Sequence, residues 1–359
     1  MRLEAGKKSR KFSFVNFAAY IVNVAIVFAT IMAYLSTVTN PSVFTFPAFF
    51  GLIFPLLALA NLLFVIWWMI KRKKAFLLSF FTLILVSGLL GRTFVKNKKC
   101  NVQTPDFSVL SYNTRLFNVY FWHDSLYTDA KIREIVHLTH ASVVCFQEFL
   151  SNNRIKSFEK FRECYPYYYA SYDKGNIKFN LLTFSKYPII KSGNLTDRNH
   201  TFASYTDIKI KTDTVRFFNV HLKSVSLADK DYGLLDSLKF SNGRFSAVLK
   251  KLSTGYSARP REVSLLKSAI KKSPYPVILC GDFNDVPASY VYTEIASELT
   301  DAFVSCGKGL GNTYVFYLPL LRIDYIFYQS SEFDCVNFQK IICNYSDHYP
   351  ILSKFKFKN

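Results

Sequence analysis

Pro276-Val-Ile-Leu-Cys-Gly-Asp-Phe-Asn-Asp-Val-Pro-Ala288 decides how the rest of the chain is read. Val277 to Cys280 is a short apolar run, β-branched at its start, that follows a Lys-rich segment and stops at Gly281. Such a run reads as a buried strand. Asp282 and Asn284 follow at its end, and in extended backbone residues i and i+2 share a face. A carboxylate and a carboxamide then look into one cavity from the rim of a sheet. The carboxylate suits orienting or deprotonating a water, and the amide suits donating to a phosphoryl oxygen. The same composition also describes a strand end closed by an Asx-turn.

Outward from this stretch the same design recurs: an apolar strand with a polar residue at its end. Phe107–Asn113 ends in Asn113, and Ala141–Phe146 is followed by Gln147 and Glu148. Asn180–Phe184 leads into Ser185-Lys-Tyr-Pro, Val215–Val220 runs into His221, and Arg322–Tyr328 carries Asp324 near its head. Asp347 and His348 lie in the loop before the last strand. Between the strands, Lys131–His140 has helical spacing of Ile132, Ile135, Val136 and Leu138. Arg259–Lys272 reads as a helix with Pro260 at its start, and residues 223–257 read as a long polar active-site loop, with a helix inside it as the alternative.

Catalytic and ligand groups gather at strand ends. Acids, amides and two histidines without a cysteine make a hard, oxygen-rich site, which favours Mg²⁺ or Mn²⁺ over zinc. Taken singly, Glu148 also fits a helix cap, His221 a core histidine, and Ser346-Asp347-His348 a turn. Asp324 differs, because an acid inside an apolar strand requires a partner.

The N-terminal third has another character. Residues 1–100 hold 13 of the 45 Lys/Arg but one acid, Glu4, of 25. Phe12–Val38 and Val43–Ile70 carry no charge, and Ala75–Gly91 is a third apolar run. These predict three transmembrane helices, at about 14–35, 48–70 and 75–95, in an anchor over residues 1–100. Trp67 and Trp68 suit a membrane interface. The basic clusters at 2–11 and 71–74 share one side. The positive-inside rule makes that side cytoplasmic, so an integral membrane protein with residues 101–359 on the extracytoplasmic side is expected. Arg92, Lys96, Lys98 and Lys99 run against that orientation. The excess positive charge beyond residue 100 suits an anionic substrate or lipid surface. Of seven cysteines, Cys145 and Cys280 sit in apolar runs and read as core. Cys100, Cys164, Cys306, Cys335 and Cys343 are the disulfide candidates.

Together these pieces resemble the endonuclease/exonuclease/phosphatase superfamily, of a membrane-anchored bacterial type. They stand here as Ser-Tyr-Asn113, Phe-Gln-Glu148, Phe-Ser-Lys-Tyr-Pro, Asn-Val-His221-Leu, Gly-Asp282-Phe-Asn284, Arg-Ile-Asp324-Tyr-Ile and Ser-Asp347-His348-Tyr-Pro. They follow the family's order over residues 105–357 and leave residues 1–100 uncovered. The resemblance implies an α/β fold, a four-layer α/β/β/α sandwich of deoxyribonuclease-I-like type, here preceded by three transmembrane helices. It implies that Glu148 binds a divalent cation with Asn113 and Asp347 close by. His348, held by Asp324, would act at the attacking water or the phosphate, and Asp282 would be a general base or orient the water. Asn284 and His221 would stabilise the pentacovalent phosphate. The chain departs from the family at Asn176-Ile-Lys-Phe-Asn180, where Lys178 and Asn180 stand in place of a phosphate-contacting Tyr or Glu.

The family's substrates include DNA, RNA, sphingomyelin and inositol phosphates, so the fold leaves the substrate open. Arg-Ile-Asp-Tyr-Ile resembles the nuclease and sphingomyelinase branches. The expectation is a Mg²⁺-dependent phosphodiesterase acting on nucleic acid or phospholipid. The alternatives are a catalytically silent domain that binds phosphorylated ligands, or a phosphomonoesterase. Val315–Leu321 reads as a membrane-dipping hairpin or a buried strand. The five tyrosines from Tyr165 to Tyr172 read as a base-stacking face or a core wall.

Overall fold

The computed structural model describes residues 14–96, 100, 103–119, 128–150, 157–172, 178–198, 200–225, 242–315 and 320–358. Two six-stranded mixed sheets form its centre. One runs β10 (Thr300–Asp301), β12 (Asp324–Tyr328), β9 (Val277–Asp282), β8 (Asp213–His221), β7 (His200–Ile210), β6 (Ile189–Asp197). The other runs β13 (Phe333–Lys340), β14 (Ile351–Phe357), β2 (Phe107–Asn113), β3 (Val143–Leu150), β5 (Lys178–Ser185), β4 (Tyr167–Tyr172). Each sheet has one parallel pair, β8 with β9 and β2 with β3, among antiparallel neighbours.

The sheets pack face to face through one apolar layer. Val109, Val143 and Ile351 from one sheet meet Val215, Ile278 and Ile326 from the other. The outer faces are covered by helices. Ile132 and Val136 of Thr128–Thr139 and Phe161 of Ser157–Cys164 pack on the β2–β3 sheet. Val263, Leu266 and Ile270 of Asn242–Lys271 and Val291 of Tyr290–Ala296 pack on the β8–β9 sheet. Helix, sheet, sheet and helix give the expected four layers. Because both of its faces are covered, β2 is buried at every position, so its alternation in sequence does not mark a wet face.

Several expectations need correction. Leu138 is exposed rather than core. The helix expected from Arg259 begins at Asn242 and carries Pro260 inside it. The helix allowed within 223–257 is thus continuous with the one expected from Arg259, and burial of Tyr256, Val263 and Leu266 outweighs the hydrogen bond that proline removes. Residues 226–241 of the expected loop lie outside the described residues. Tyr165 is core, while Tyr167 and Tyr168 are exposed on the edge strand β4.

At the N-terminus one helix, Phe14–Leu35, rather than three, is by itself long and apolar enough to cross a membrane, and each of two bent helix pairs makes a further span only if the pair crosses as one. The second and third runs are bent pairs, Phe46–Leu52 with Phe54–Ile70 at 72°, and Phe76–Leu85 with Ser87–Thr93 at 62°. Pro55 begins the second member of the first pair and Ser87-Gly88 opens that of the second, both familiar causes of a kink. The helices form a bundle with polar contacts inside it. Trp68 is fully buried and donates to Asn23 Oδ1 at 3.0 Å, and Asn61 donates to Thr30 Oγ1 at 2.7 Å. Trp68 is therefore an interior residue; of the two, Trp67 is the exposed one, with Lys71 over its ring.

The bundle docks on the sandwich. Phe94–Val95 pairs with Gly309–Leu310, and Cys100 forms a disulfide with Cys306. Cys145, Cys164, Cys280, Cys335 and Cys343 are free thiols, and Cys145 and Cys280 are buried as expected.

Candidate active site

The two parallel pairs point their carboxyl ends the same way, and the candidate residues collect there. Asn113 closes β2, Glu148 lies near the end of β3, and His221 and Asp282 close β8 and β9 as register partners. Asp324 opens the antiparallel β12 directly opposite Asp282. The loop before β14 brings in Asp347 and His348.

Their side chains form one chain of contacts. Asp324 holds His348 Nδ1 with both carboxylate oxygens, at 2.9 and 3.1 Å. His348 Nε2 then faces Asp282 Oδ2 at 3.8 Å. The same oxygen accepts from Asn113 Nδ2 at 3.0 Å, and that amide reaches Glu148 Oε1 at 3.3 Å. His221 Nε2 lies between the two acids, 3.5 Å from Glu148 and 3.8 Å from Asp282. Asp347 Oδ1 is 3.9 Å from His348 Nε2.

Backbone geometry aims two of these groups. Gln147 points between the sheets, where its amide donates to Asn219 Oδ1 at 2.7 Å. Strict alternation would send Glu148 to the helix-covered face. Glu148 instead adopts left-handed backbone (φ 50°), and its carboxylate meets Asn113 and His221. A non-glycine residue held there is strained, a feature that clusters at functional sites. Asn284 is also left-handed (φ 51°). The expected shared face with Asp282 is therefore not formed. Asn284 N–H donates to Asp282 Oδ1 at 2.8 Å in an Asx-turn, and its side-chain amide donates to Leu222 O at 3.1 Å. Turn and site coexist, because Asp282 uses one oxygen for each. The side chains of Lys178 and Asn180 lie outside the described residues.

Burial sets the electrostatics. Asp282, Asp324 and His348 are at most 5% exposed. Burial pushes the Asp282 carboxyl above its usual range, with Asp324 adding and His348 and His221 opposing. Burial likewise raises Asp347, helped by Glu148 and opposed by His348 and Arg115. For His348 burial works downward, but Asp324, Asp282 and Asp347 outweigh it and hold the ring well above 6.5. A folded value above the unfolded one adds stability that is complete below the unfolded value and lost as pH rises through the folded one. With divalent metal chelated, the chain should therefore lose melting temperature from neutral into alkaline pH, and His348→Gln should lose less. Equal slopes in thermal melts would show that the Asp324–His348 contact is not an ion pair.

Several positioning residues carried no local signal. Thr313 Oγ1 accepts the backbone N–H groups of Ile323 and Asp324, both at 3.0 Å, and Tyr314 stacks edge-on against His348 at 5.3 Å. Arg115 reaches Asp347 Oδ2 at 3.2 Å. Arg259, fully buried, pairs with Asp285 at 3.3 Å directly after the Asx-turn. Only Arg115, two residues after Asn113, lay near enough in sequence to be suspected.

For metal chemistry, the described residues hold one set of three acid or histidine ligands within 4.8 Å of one another: Asp282, Asp324 and His348. Both Asp324 oxygens are engaged by His348, so this set reads as an oriented histidine. The expected metal group, Glu148 with Asn113 and Asp347, is the other half of the site. Its donors are all oxygen or amide, and Glu148 is close enough to Asp347 to raise the proton affinity of that carboxyl. A hard divalent cation suits both facts. Arg115 already engages one oxygen of Asp347.

A family model described as the endonuclease/exonuclease/phosphatase family matches residues 110–348. The chain belongs to this family. The match takes in Asn113, Glu148, His221, Asp282, Asn284, Asp324, Asp347 and His348. A second model, described as a domain of unknown function, covers residues 13–93, the helical segment. Solved structures share the endonuclease/exonuclease/phosphatase fold. A family protein from Bacteroides thetaiotaomicron is 19% identical, with a TM-score of 0.53, covering 72% of this chain and 100% of that one. Another, from Bacteroides vulgatus, is 18% identical with a TM-score of 0.53, covering 71% and 100%. D. rerio TDP2, complexed with single-strand DNA product, is 16% identical with a TM-score of 0.50, covering 70% and 98%. Compared with curated proteins by sequence, the chain has no match.

Proposed function

We propose that this chain is a membrane-anchored, divalent-metal-dependent phosphoric ester hydrolase that cleaves phosphodiesters in nucleic acid or lipid headgroups. The observation that carries this reading is the unbroken run of contacts Asp324, His348, Asp282, Asn113, Glu148 across the carboxyl ends of both sheets. Family membership supports hydrolysis of a phosphoric ester, and the DNA product held by D. rerio TDP2 supports a diester.

Asp324 fixes the His348 ring and leaves Nε2 facing Asp282, so the pair brackets the position of a water or a phosphoryl oxygen. Asp282 orients that water and accepts its proton. Asn113 ties Asp282 to Glu148 and keeps both carboxylates on the reacting face. His221 Nε2, on the opposite side of Asp282, donates to the charge that develops on phosphorus-bound oxygen. Asn284 holds the loop rather than the phosphate, as its amide is engaged by Leu222. Glu148, with Asn113 and Asp347 beside it, would hold Mg²⁺ or Mn²⁺, which would supply a Lewis acid for the phosphoryl charge.

In this proposal residues 1–100 are the anchor, with Phe14–Leu35 as one span and each bent pair as a further one, and residues 101–359 are the catalytic domain. The 17-residue helix Phe54–Ile70 carries the chain about 25 Å from the docked end of the bundle to Lys71–Lys74. The basic loop is thus at the far end from the sandwich. Positive-inside placement of that loop puts the catalytic domain on the extracytoplasmic side. The Cys100–Cys306 disulfide supports the same side independently, because disulfides persist in oxidising compartments.

The test uses the full chain in detergent micelles with plasmid DNA, sphingomyelin vesicles and phospholipid vesicles, each with Mg²⁺ or EDTA. Turnover of at least one diester that EDTA abolishes and Mg²⁺ or Mn²⁺ restores is expected. Turnover indifferent to EDTA, or no turnover of any of the three diesters with either metal, would reject the proposal.

A further inference from the structure

Two of the strand ends that build the site lie a few residues from direct contacts with the helical bundle. Asp282 leads through the Asx-turn to Ala288, which is 3% exposed and packs with Ala33, Phe54, Leu57, Ala58, Val86 and Leu89 of the bundle. The buried Ser36 hydroxyl donates to Ala288 O at 2.6 Å. Gly51 makes this approach possible: a β carbon there would lie 2.3 Å from Ala288 O and 2.6 Å from Ser36 Oγ. The second strand end behaves alike. Arg322, two residues before Asp324, pairs with Asp301 at 2.6 Å and donates to the backbone carbonyl of Arg92 at 2.8 Å. The two ends are also linked to each other, since the Tyr325 hydroxyl lies 2.8 Å from Asp285 O and 2.7 Å from Arg322 O.

Between Asp282 and Ala288 there is little slack. Asn284 is held by Asp282 and Leu222, Asp285 by Arg259, and Ser289 caps the helix Tyr290–Ala296 through Tyr292 N–H at 3.1 Å.

We propose that the helical segment is a positioning part of the active site, with Gly51 and Ser36 setting the place of the Asp282 loop through Ala288. This rests on the hydrolase reading for its kinetic consequence, but its structural content does not. Displacement of the bundle against the sandwich moves the two strand ends that carry Asp282 and Asp324 together, so the state of the helices is felt at the reacting groups.

The experiment compares the full chain with Gly51→Ala and Ser36→Ala in detergent micelles. Gly88→Ala and Gly91→Ala serve as controls, because a β carbon at either meets nothing within 4 Å. Hydrolysis of bis(p-nitrophenyl) phosphate with Mg²⁺ is measured alongside amide exchange of peptides covering 282–292. Gly51→Ala should lower kcat by about 10²-fold, the effect of a displacement near 1 Å, with KM little changed. It should also speed exchange at 282–292, and both controls should match the wild type. Ser36→Ala should shift both readouts in the same direction by a smaller factor, and it carries the test if Gly51→Ala does not fold. If the wild type hydrolyses no ester, the hydrolase reading fails and the coupling is decided by exchange alone. Exchange in Gly51→Ala and Ser36→Ala equal to that of the controls would reduce the bundle to a tether and overturn the inference.

Discussion

Asp282→Asn should cut kcat for phosphodiester hydrolysis by about 10³-fold, within the range that a positioned acid–base group contributes. Asp282 Oδ2 is the hub of the site, 3.0 Å from Asn113 Nδ2 and 3.8 Å from both histidine Nε2 atoms. An amide in its place keeps the volume but loses the charge that faces two rings and the acceptor that a water proton needs. Oδ1 keeps the Asx-turn to Asn284 in either residue, so the fold should survive. His348→Ala should fall as far. Asp324→Asn acts only through the ring it holds, so the double variant Asp324→Asn/His348→Ala should be no slower than His348→Ala alone. Steady-state kinetics of the four chains checks this. Additive losses would mean that Asp324 works independently of His348, and a loss under tenfold in Asp282→Asn would remove Asp282 from the chemistry.

The largest stability effect is expected at the residue before it. Gly281 has φ +142°, and a β carbon there would stand 2.0 Å from Val220 O and 2.7 Å from Val220 N. Val220 is its register partner in the parallel pair β8–β9, so the clash is backbone against backbone and no rotamer change relieves it. The glycine lets the two strands close where His221 and Asp282 must stand side by side. Gly281→Ala should cost about 4 kcal/mol, at the upper end of single substitutions. For a domain of this size that corresponds to roughly 10 °C in melting temperature. Thermal denaturation of the full chain in micelles is the check. A shift under about 2 °C would mean that the strands separate at little cost there and that the site tolerates it.

What was legible in the sequence follows from range. An apolar run stopped by a polar residue is a local signal, and it located Asn113, Glu148, His221 and Asp282 at or near their strand ends, while Asp324 stood out as an acid at the head of an apolar strand. The four-layer architecture came from the family resemblance and not from any local pattern. The failures were of two kinds. Pro55 and Pro260 were visible, yet tertiary packing decided what each did: a 72° bend at the first, a continuous helix through the second. Asn284 was placed by assuming extended backbone past the strand end, and a left-handed turn moved it. Other contacts join residues far apart in sequence, and no local pattern announces them. Arg259 with Asp285, Gln147 with Asn219, Cys100 with Cys306 and Ser36 with Ala288 are all of this type.

The docking of the bundle changes what a truncated protein would be. Cutting the chain at residue 100 looks like removal of a membrane tail. It would also strip the apolar cover from Ala288, the Arg92 carbonyl from a buried arginine, and the pairing strand from Gly309–Leu310. A cut that also took Cys100 would leave Cys306 as a reactive thiol on the opened flank. Such a fragment would present greasy surface next to its own catalytic loop and would be prone to self-association. Sluggish turnover by it in a tube of buffer would say little about the activity of the full chain.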